Sequence, residues 1–328
     1  ILYEGLPFSP DGGIWWKICA DYGVRTMFSS PTAIRVLKKQ DAKFLTQYDL
    51  SKLEYLFLAG EPLDEPTASW ISTGLGGTMI IDNYWQTETG WPALTLLPGV
   101  DMKPTRFGSP GFANLGYNTM IIDEATGLEV GTGQKGVLVI VPPLPPGCLS
   151  TVWRNDERFI ASYFSHFKQL LYSSLDWAIR DADGYTFILG RTDDVINVAG
   201  HRLGTREIEE SVSAHAAVVE AAVVGVSDAL KGQVPVVFAT LRDVHAGDRA
   251  AAAAGLRSTV EQSLGAVARP ARVYIVDALP KTRSGKLLRR SLQALAQGQD
   301  PGDLSTLDNP AALEDVRSAL VRGADAGQ

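Results

Sequence analysis

The sequence predicts an α/β protein in three parts: a parallel α/β subdomain, a small β-rich barrel or sheet, and a closing α+β domain. Three observations carry this. The first hundred residues alternate helical and strand patterns with continuous apolar strands, the order that implies a parallel sheet covered by helices. The next ninety lose the helical pattern and show short apolar runs between Gly and Pro turns. Then Leu189 to Glu210, LGRTDDVINVAGHRLGTREIEE, gathers Arg191, Asp193, Asp194, Arg202, Arg206 and Glu207 around the run 195–198, a density of charge typical of a joint between domains. The expected divisions are 1–100, 101–192, 193–300 and a tail over 301–328.

In chain order, a helix is expected from Gly13 to Tyr22, a strand at 26–30, a helix opened by Pro31, a strand at 54–59, a helix after Pro66 and a strand at 78–82. Strands at 119–123, 137–141 and 185–189 form the β-rich part. Past the joint, a short strand runs to Val198, Gly200 turns the chain, and a helix begins near Thr205, with Glu209 and Glu210 close behind. Helix 205–215, strands 218–226 and 234–241, an alanine-rich helix 249–264, strand 272–276 and helix 285–296 follow, with one closing helix near 311–322.

Composition narrows the function classes. With 328 residues and 45% hydrophobic content, the chain buries a full core and forms two units. A net charge of −7 argues against a nucleic-acid or anionic-membrane binder. The cations are local: seven Lys or Arg and one acid lie between Arg269 and Arg290. Cys19 and Cys148 match no CxxC or metal spacing, which suits free thiols in a reducing, cytoplasmic compartment. No apolar run reaches membrane-spanning length and no cationic signal segment opens the chain. The start at Ile1, in what reads as a domain interior, leads us to expect a fragment.

Several short runs imitate functional motifs. Gly131-Thr-Gly-Gln-Lys-Gly136 matches a dinucleotide fingerprint but precedes its strand, so it reads as a hairpin turn. Lys286 lacks the glycines of a P-loop. His166, His201, His215 and His245 show no metal-ligand spacing.

Three stretches are stronger. Ala59-Gly60-Glu61-Pro62 follows a buried strand, at the end where open α/β sheets bind ligands. Its bland reading is an ordinary turn. Asp82-Asn-Tyr-Trp-Gln-Thr-Glu-Thr-Gly90 combines an apolar wall, Trp85, with Thr87 and Glu88, groups suited to a phosphate and a magnesium ion. Pro280-Lys-Thr-Arg-Ser-Gly-Lys286 is a cationic loop running into an expected helix N-terminus. A solvated basic face is its usual explanation, but a helix N-terminus disfavours cations, so Lys286 should meet an anion.

Together AGEPL, YWQTETG, GRTDDVINVAGHRLGTREIEE and LPKTRSGK resemble the adenylate-forming enzymes, and within them the AMP-forming short-chain acyl-CoA synthetases. LPPGC at 144–148, DWAIRDADGY at 176–185 and LKGQV at 230–234 are most similar to the branch acting on propionate. The resemblance implies an adenylate-forming architecture with a mobile C-terminal domain. It implies that ATP, with Mg2+, activates propionate as propionyl-AMP with release of pyrophosphate, and that CoA then displaces AMP. Gly60, Glu61 and Pro62 would border the adenine, and Asn83, Tyr84, Trp85, Gln86 and Thr87 would line the AMP and acyl sites. Glu88 would hold the metal, Asp176 and Arg191 the ribose, and Arg202 the phosphate side. Lys286 would stabilise charge at the α-phosphorus. Asp193 would be the hinge between two orientations, one presenting Lys286 and the other the Ala199-Gly200 face for thioester formation.

Acetate-using relatives commonly carry valine before Gly-Glu-Pro. Ala59, with Trp85 closing the far end, would leave room for about one more carbon, worth about 1 to 3 kcal/mol of discrimination. Two departures stand out. The usual Thr-Gly-Asp before the ribose is Ser174-Leu175-Asp176 here, and the Gly- and Ser/Thr-rich phosphate loop of the family is absent from the sequence. Acetyl-CoA synthetase and a non-catalytic nucleotide-binding fragment are the alternatives. Acetylation of Lys286, by an acetyltransferase and reversed by a deacetylase, would be an off-switch because it removes the ammonium charge.

Overall fold

The computed structural model describes residues 1–192, 194–242, 249–283 and 285–325, with side chains placed up to residue 323. Asp193, the expected hinge, and Ser284 of the cationic loop lie outside the described residues. The chain divides into two compact units, Ile1–Leu189 and Gly190–Gln328.

The first unit opens with α1 (Ile14–Tyr22), β1 (Thr26–Ser29), α2 (Pro31–Lys38), β2 (Tyr55–Ala59), α3 (Glu65–Leu75) and β3 (Met79–Asn83). The strands form a parallel sheet in the order β1-β2-β3, as the βαβα pattern requires. Ser30 caps α2 by accepting from Ala33 N at 3.3 Å, with Pro31 in the first turn where its missing N–H costs nothing. Asp64 caps α3 through Thr67 N at 2.9 Å. Leu56 and Leu58 of β2 pack with Ile34, Ala68 and Ile71 of the helices, whereas Ile81 turns to Leu96 and Tyr185 on the opposite face. β2 and β3 are covered on both faces, which is why their centres are apolar, whereas β1 leaves Phe28 exposed.

Two short strands, β4 (Leu94–Thr95) and β5 (Phe112–Ala113), pair antiparallel. A four-stranded sheet follows in the order β6-β7-β8-β9, from β6 (Thr119–Ile122), β7 (Gly136–Ile140), β8 (Tyr172–Arg180) and β9 (Thr186–Arg191). Single bridges, Tyr84 to Leu94 and Gly111 to Thr186, link β3 to the short pair and the pair to β9. Residues 131–134 form the turn before β7, Gln134 N bonding Gly131 O at 3.1 Å. Helix α4 (Asp156–Tyr163) and strand β8 are absent from the sequence reading. The reason in β8 is polarity: Ser173, Ser174 and Asp176 are buried there and interrupt the apolar run that marks a strand.

In the second unit β10 (Val195–Val198) and β11 (His201–Gly204) form a hairpin. Its two central residues, Ala199 (φ 49°) and Gly200 (φ 87°), are both left-handed, as the tightest hairpin turns require. Helix α5 (Thr205–Ser213), β12 (Val218–Asp228), β13 (Gly232–Leu241), α6 (Arg249–Leu264), β14 (Arg272–Ile275), α7 (Arg289–Ala296) and α8 (Pro310–Asp325) complete it. The sheet runs β11-β10-β13-β12, with β14 parallel to β13. Val223, Val237 and Ala239 face α5 and α6 through Ile208, Val212, Leu256 and Val260; their neighbours Val224, Val236 and Phe238 face α7 and α8 through Leu292, Val316 and Ala319. The alternation along each strand thus serves two cores.

One expectation is corrected. The helix expected from 285 begins at Arg289, so Lys286 does not lie in its first turn. Lys281 and Leu287 instead form a bridge, and Thr282 N bonds Lys286 O at 2.8 Å while Lys286 N bonds Thr282 Oγ1 at 3.1 Å. Those backbone groups are satisfied within the loop and cannot join a helix.

Candidate active site

At the carboxyl end of β2 and β3, Ala59 stands opposite Asn83 in register. Asn83 is buried and fully engaged: its amide donates to Leu58 O at 3.1 Å and Ile81 O at 3.2 Å, and its oxygen accepts from Thr95 Oγ1 at 2.6 Å. It ties both strand ends together at the point where the next residues enter the site.

Asp176 is the centre of the site in this unit. It reaches the strand ends through a bulge, because β7 and β8 pair Val137 with Trp177 but Val139 with Ser173, so that Ser174 to Asp176 stand against Leu138 alone. Within the bulge Leu175 adopts φ 61°, the left-handed geometry that glycine takes without penalty. The Ser-Leu-Asp run therefore builds the backbone shape a Gly would favour. Ser174 Oγ donates to Leu138 O at 2.7 Å and accepts from Asp176 N at 3.2 Å. Asp176 Oδ2 then accepts from Tyr84 OH at 2.5 Å and from Gln86 Nε2 at 2.9 Å, while Gln86 Nε2 also reaches Ser174 O at 2.7 Å. Burial and the neighbouring Asp176 charge raise the Tyr84 phenol well above its ordinary range, so it remains a donor.

Residues Thr87–Thr89 form a short 3-10 turn after Gln86, closed by Gln86 N to Thr89 Oγ1 at 3.0 Å. Gly90 (φ 68°) follows where a Cβ would fall 2.2 Å from Gly147 O, so no larger residue fits. Trp85 and Thr87 are exposed, whereas Gln86 and Glu88 are partly covered. Tyr172 OH donates to Gln86 Oε1 at 2.9 Å, and Tyr163 OH to Glu88 Oε1 at 2.5 Å.

Arg35 of α2, which no motif marks, organises the Gly60–Asp64 loop. Its guanidinium meets Glu61 Oε2 at 2.9 Å, Asp64 Oδ2 at 2.8 Å and Pro62 O at 2.8 Å, and Thr32 Oγ1 adds a hydrogen bond to Glu61. Gly60 itself has φ 104° and open space where a side chain would stand. Burial pushes the Asp64 carboxyl up, but Arg35 and Thr67 outweigh it and leave it below its usual value.

In the second unit Arg202 lies opposite Asn197 in the hairpin and is exposed, Gly200 has open space around its α-carbon, and Arg191 ends β9. Lys286 is exposed, and among the described residues no carboxylate lies within ion-pair distance of it. Arg289, just beyond, is clamped: it pairs with Glu209, meets Asp194 Oδ2 at 3.3 Å and donates to Val223 O at 2.8 Å. Tyr84, Gln86 and Asp176 are thus joined in one hydrogen-bonded network, Ala59 and Asn83 stand at the adjoining strand ends, and Ala199, Gly200 and Arg202 share one hairpin. The residues that sequence reasoning missed, Arg35, Tyr163, Tyr172 and Ser174, act on the chosen ones through contacts 26 to 88 positions apart in sequence, for which no local signal exists.

The first unit carries an amide and a carboxylate knot at its strand ends, and the second carries an exposed lysine in the loop before α7. Residues 1–144 match the family model for AMP-binding enzymes, and residues 207–286 match that for the AMP-binding enzyme C-terminal domain. Together they span more than half of the chain, which belongs to the AMP-binding, adenylate-forming enzymes. Among its relatives, the propionate–CoA ligase of Escherichia coli (strain K12) is 56% identical over 98% of this chain and 51% of its own length. An acetyl-coenzyme A synthetase of Pyrobaculum arsenaticum is 40% identical over 97% of this chain and 47% of its own. The crystal structure of the anthranilate CoA ligase AuaEII with anthranoyl-AMP matches with a TM-score of 0.74 at 25% identity, over 90% of this chain and 54% of that one. The chain thus spans about half the length of the curated relatives it matches.

Proposed function

We propose that this chain forms part of an ATP-dependent ligase that joins propionate to CoA through propionyl-AMP. The observation that carries the reading is the Tyr84–Asp176–Gln86 knot at the end of β3, a buried carboxylate with a fixed oxygen beside a turn rich in hydroxyls. In this reading Asp176, with Arg191, takes the ribose hydroxyls; Gly60, Glu61 and Pro62 border the adenine; Asn83 to Thr87 line the AMP and acyl sites; and Arg202 lies toward the phosphate. The propionate oxygen bonds to the α-phosphorus as the bond to pyrophosphate breaks, and Lys286 offsets the charge that develops on the phosphoryl oxygens. In the second step the CoA sulfur attacks the carbonyl carbon and AMP leaves, with the Ala199-Gly200 turn facing the thiol.

The donor set near Glu88 fits magnesium. Among the described residues no group of three or more potential ligands exists, and Mg2+ is usually held by one or two carboxylates together with phosphates and waters. Bound there, the ion would neutralise phosphate charge. The name of the Escherichia coli relative supports propionate over acetate. Ala59, buried opposite Asn83, is the side chain we assign to that choice. Asp193 is our candidate for the pivot between the half-reactions. Among the described residues no helix is long and apolar enough to cross a membrane, and we take the site of action to be the cytoplasm, where an acetyltransferase and a deacetylase could act on Lys286.

The test is pyrophosphate release with propionate and acetate, in this chain and in the polypeptide extended to the length of its relatives. Lys286→Gln should abolish release while sparing CoA transfer from supplied propionyl-AMP. AMP binding without release in the extended protein would support a non-catalytic nucleotide module instead. Ala59→Val should shift preference toward acetate; an unchanged ratio removes Ala59 from the acyl pocket.

A further inference from the structure

Two tyrosines outside every motif bracket the turn after β3. Tyr163 ends α4 and Tyr172 begins β8, and their rings stack with centroids 5.2 Å apart and planes 9° from parallel. Their hydroxyls reach different residues of the turn, Tyr172 to Gln86 Oε1 and Tyr163 to Glu88 Oε1. Phe159 packs on Tyr163 at 5.4 Å and Phe164 on Tyr172 at 5.8 Å, so both rings are held in place from behind. The backbone of the turn is fixed as well, since Glu88 O accepts from Leu149 N at 2.7 Å.

A glutamate on a partly exposed turn ordinarily samples several rotamers, and ordering it on a ligand costs free energy. Here one carboxylate oxygen is already held. Among the described residues nothing donates to Oε2, which leaves that oxygen for a cation. Ligating carboxylates are themselves usually hydrogen-bonded, and removing such a partner weakens metal binding about 10- to 100-fold.

We propose that Tyr163 is a positioning residue for the cation-bound nucleotide: its hydroxyl holds Glu88 Oε1 so that Oε2 meets the divalent ion in a fixed direction. The inference rests on the reading of Glu88 as the metal ligand. Its chemistry involves no proton transfer, only the orientation of a carboxylate.

The experiment uses the full-length polypeptide with Mn2+ as the probe. Binding of Mn2+ to the ATP complex is followed by electron paramagnetic resonance, and metal-free AMP binding by calorimetry, for the parent, Tyr163→Phe and Glu88→Gln. Tyr163→Phe should weaken Mn2+ binding about tenfold and leave AMP affinity and the melting temperature unchanged. Unchanged Mn2+ affinity in Tyr163→Phe, with a loss in Glu88→Gln, would overturn the role of Tyr163 while sparing the metal assignment. An equal loss of AMP and Mn2+ binding would reduce Tyr163 to a packing role and overturn it too. If Glu88→Gln itself binds Mn2+ normally, the metal assignment fails and the proposal falls with it.

Discussion

Tyr84 and Asp176, 92 positions apart, meet through a 2.5 Å hydrogen bond that joins the end of the parallel sheet to the bulge of the antiparallel one. Asp176 is buried and Tyr84 partly so. Tyr84→Phe leaves a buried carboxylate one donor short. We expect a loss of about 1 to 3 kcal/mol in urea unfolding, and weaker AMP binding by calorimetry.

Leu175 occupies left-handed backbone space at φ 61°. Leu175→Gly removes that strain along with a half-buried side chain, and stability should stay within about 1 kcal/mol of the parent. Leu175→Val, branched at Cβ, should lose about 1 to 3 kcal/mol and displace Asp176. Chemical denaturation of both variants reads the difference; equal stability would show that the bulge relaxes freely.

Arg35 holds Glu61, Asp64 and Pro62 O at once, and its side chain is only 16% exposed. Arg35→Ala should cost about 2 to 4 kcal/mol, because partly buried carboxylates lose their counter-charge. The sign with pH follows from Asp64. In the parent its lowered pKa gives stability present above about pH 4 and lost as acid protonates it. Without Arg35 only Thr67 opposes the effect of burial, the Asp64 carboxyl rises, and acid unfolding should move to higher pH.

Cys19, buried in the first core, has its thiol pushed up to about 11 by desolvation, from an ordinary 9.0. The unfolded thiol loses its proton first as pH rises, so stability should fall from about pH 9 to about pH 11. Tyr84 and Tyr172, also raised by burial, add to the loss above pH 10. Cys19→Ala should flatten the lower part of that decline in unfolding curves, although the smaller side chain lowers stability at every pH.

Helix α1 and strands β1 to β3 were legible within a residue at each end, and the starts of α2 and α3 as well, because apolar runs mark β2 and β3 and Ser30, Pro31 and Asp64 announce their helices. Strand β8 was not, since its buried serines and aspartate read as loop until Leu138 O, Tyr84 and Gln86 are seen to satisfy them. The start of α7 was also misread. Thr282 closes its own loop, a local competition that the pattern of apolar residues does not register.

Taken alone, the amino-acid order decided the class of fold, the family and the residue types assembled at the strand ends, because each depends on neighbours close in the chain or on short ordered motifs. Folding in three dimensions decided which of those residues are held and by what. Arg35 on Glu61, Tyr163 on Glu88 and Gln86 on Ser174 are partnerships between distant segments. Their energies come from burial and hydrogen-bond geometry, which exist only once sheets and helices have packed.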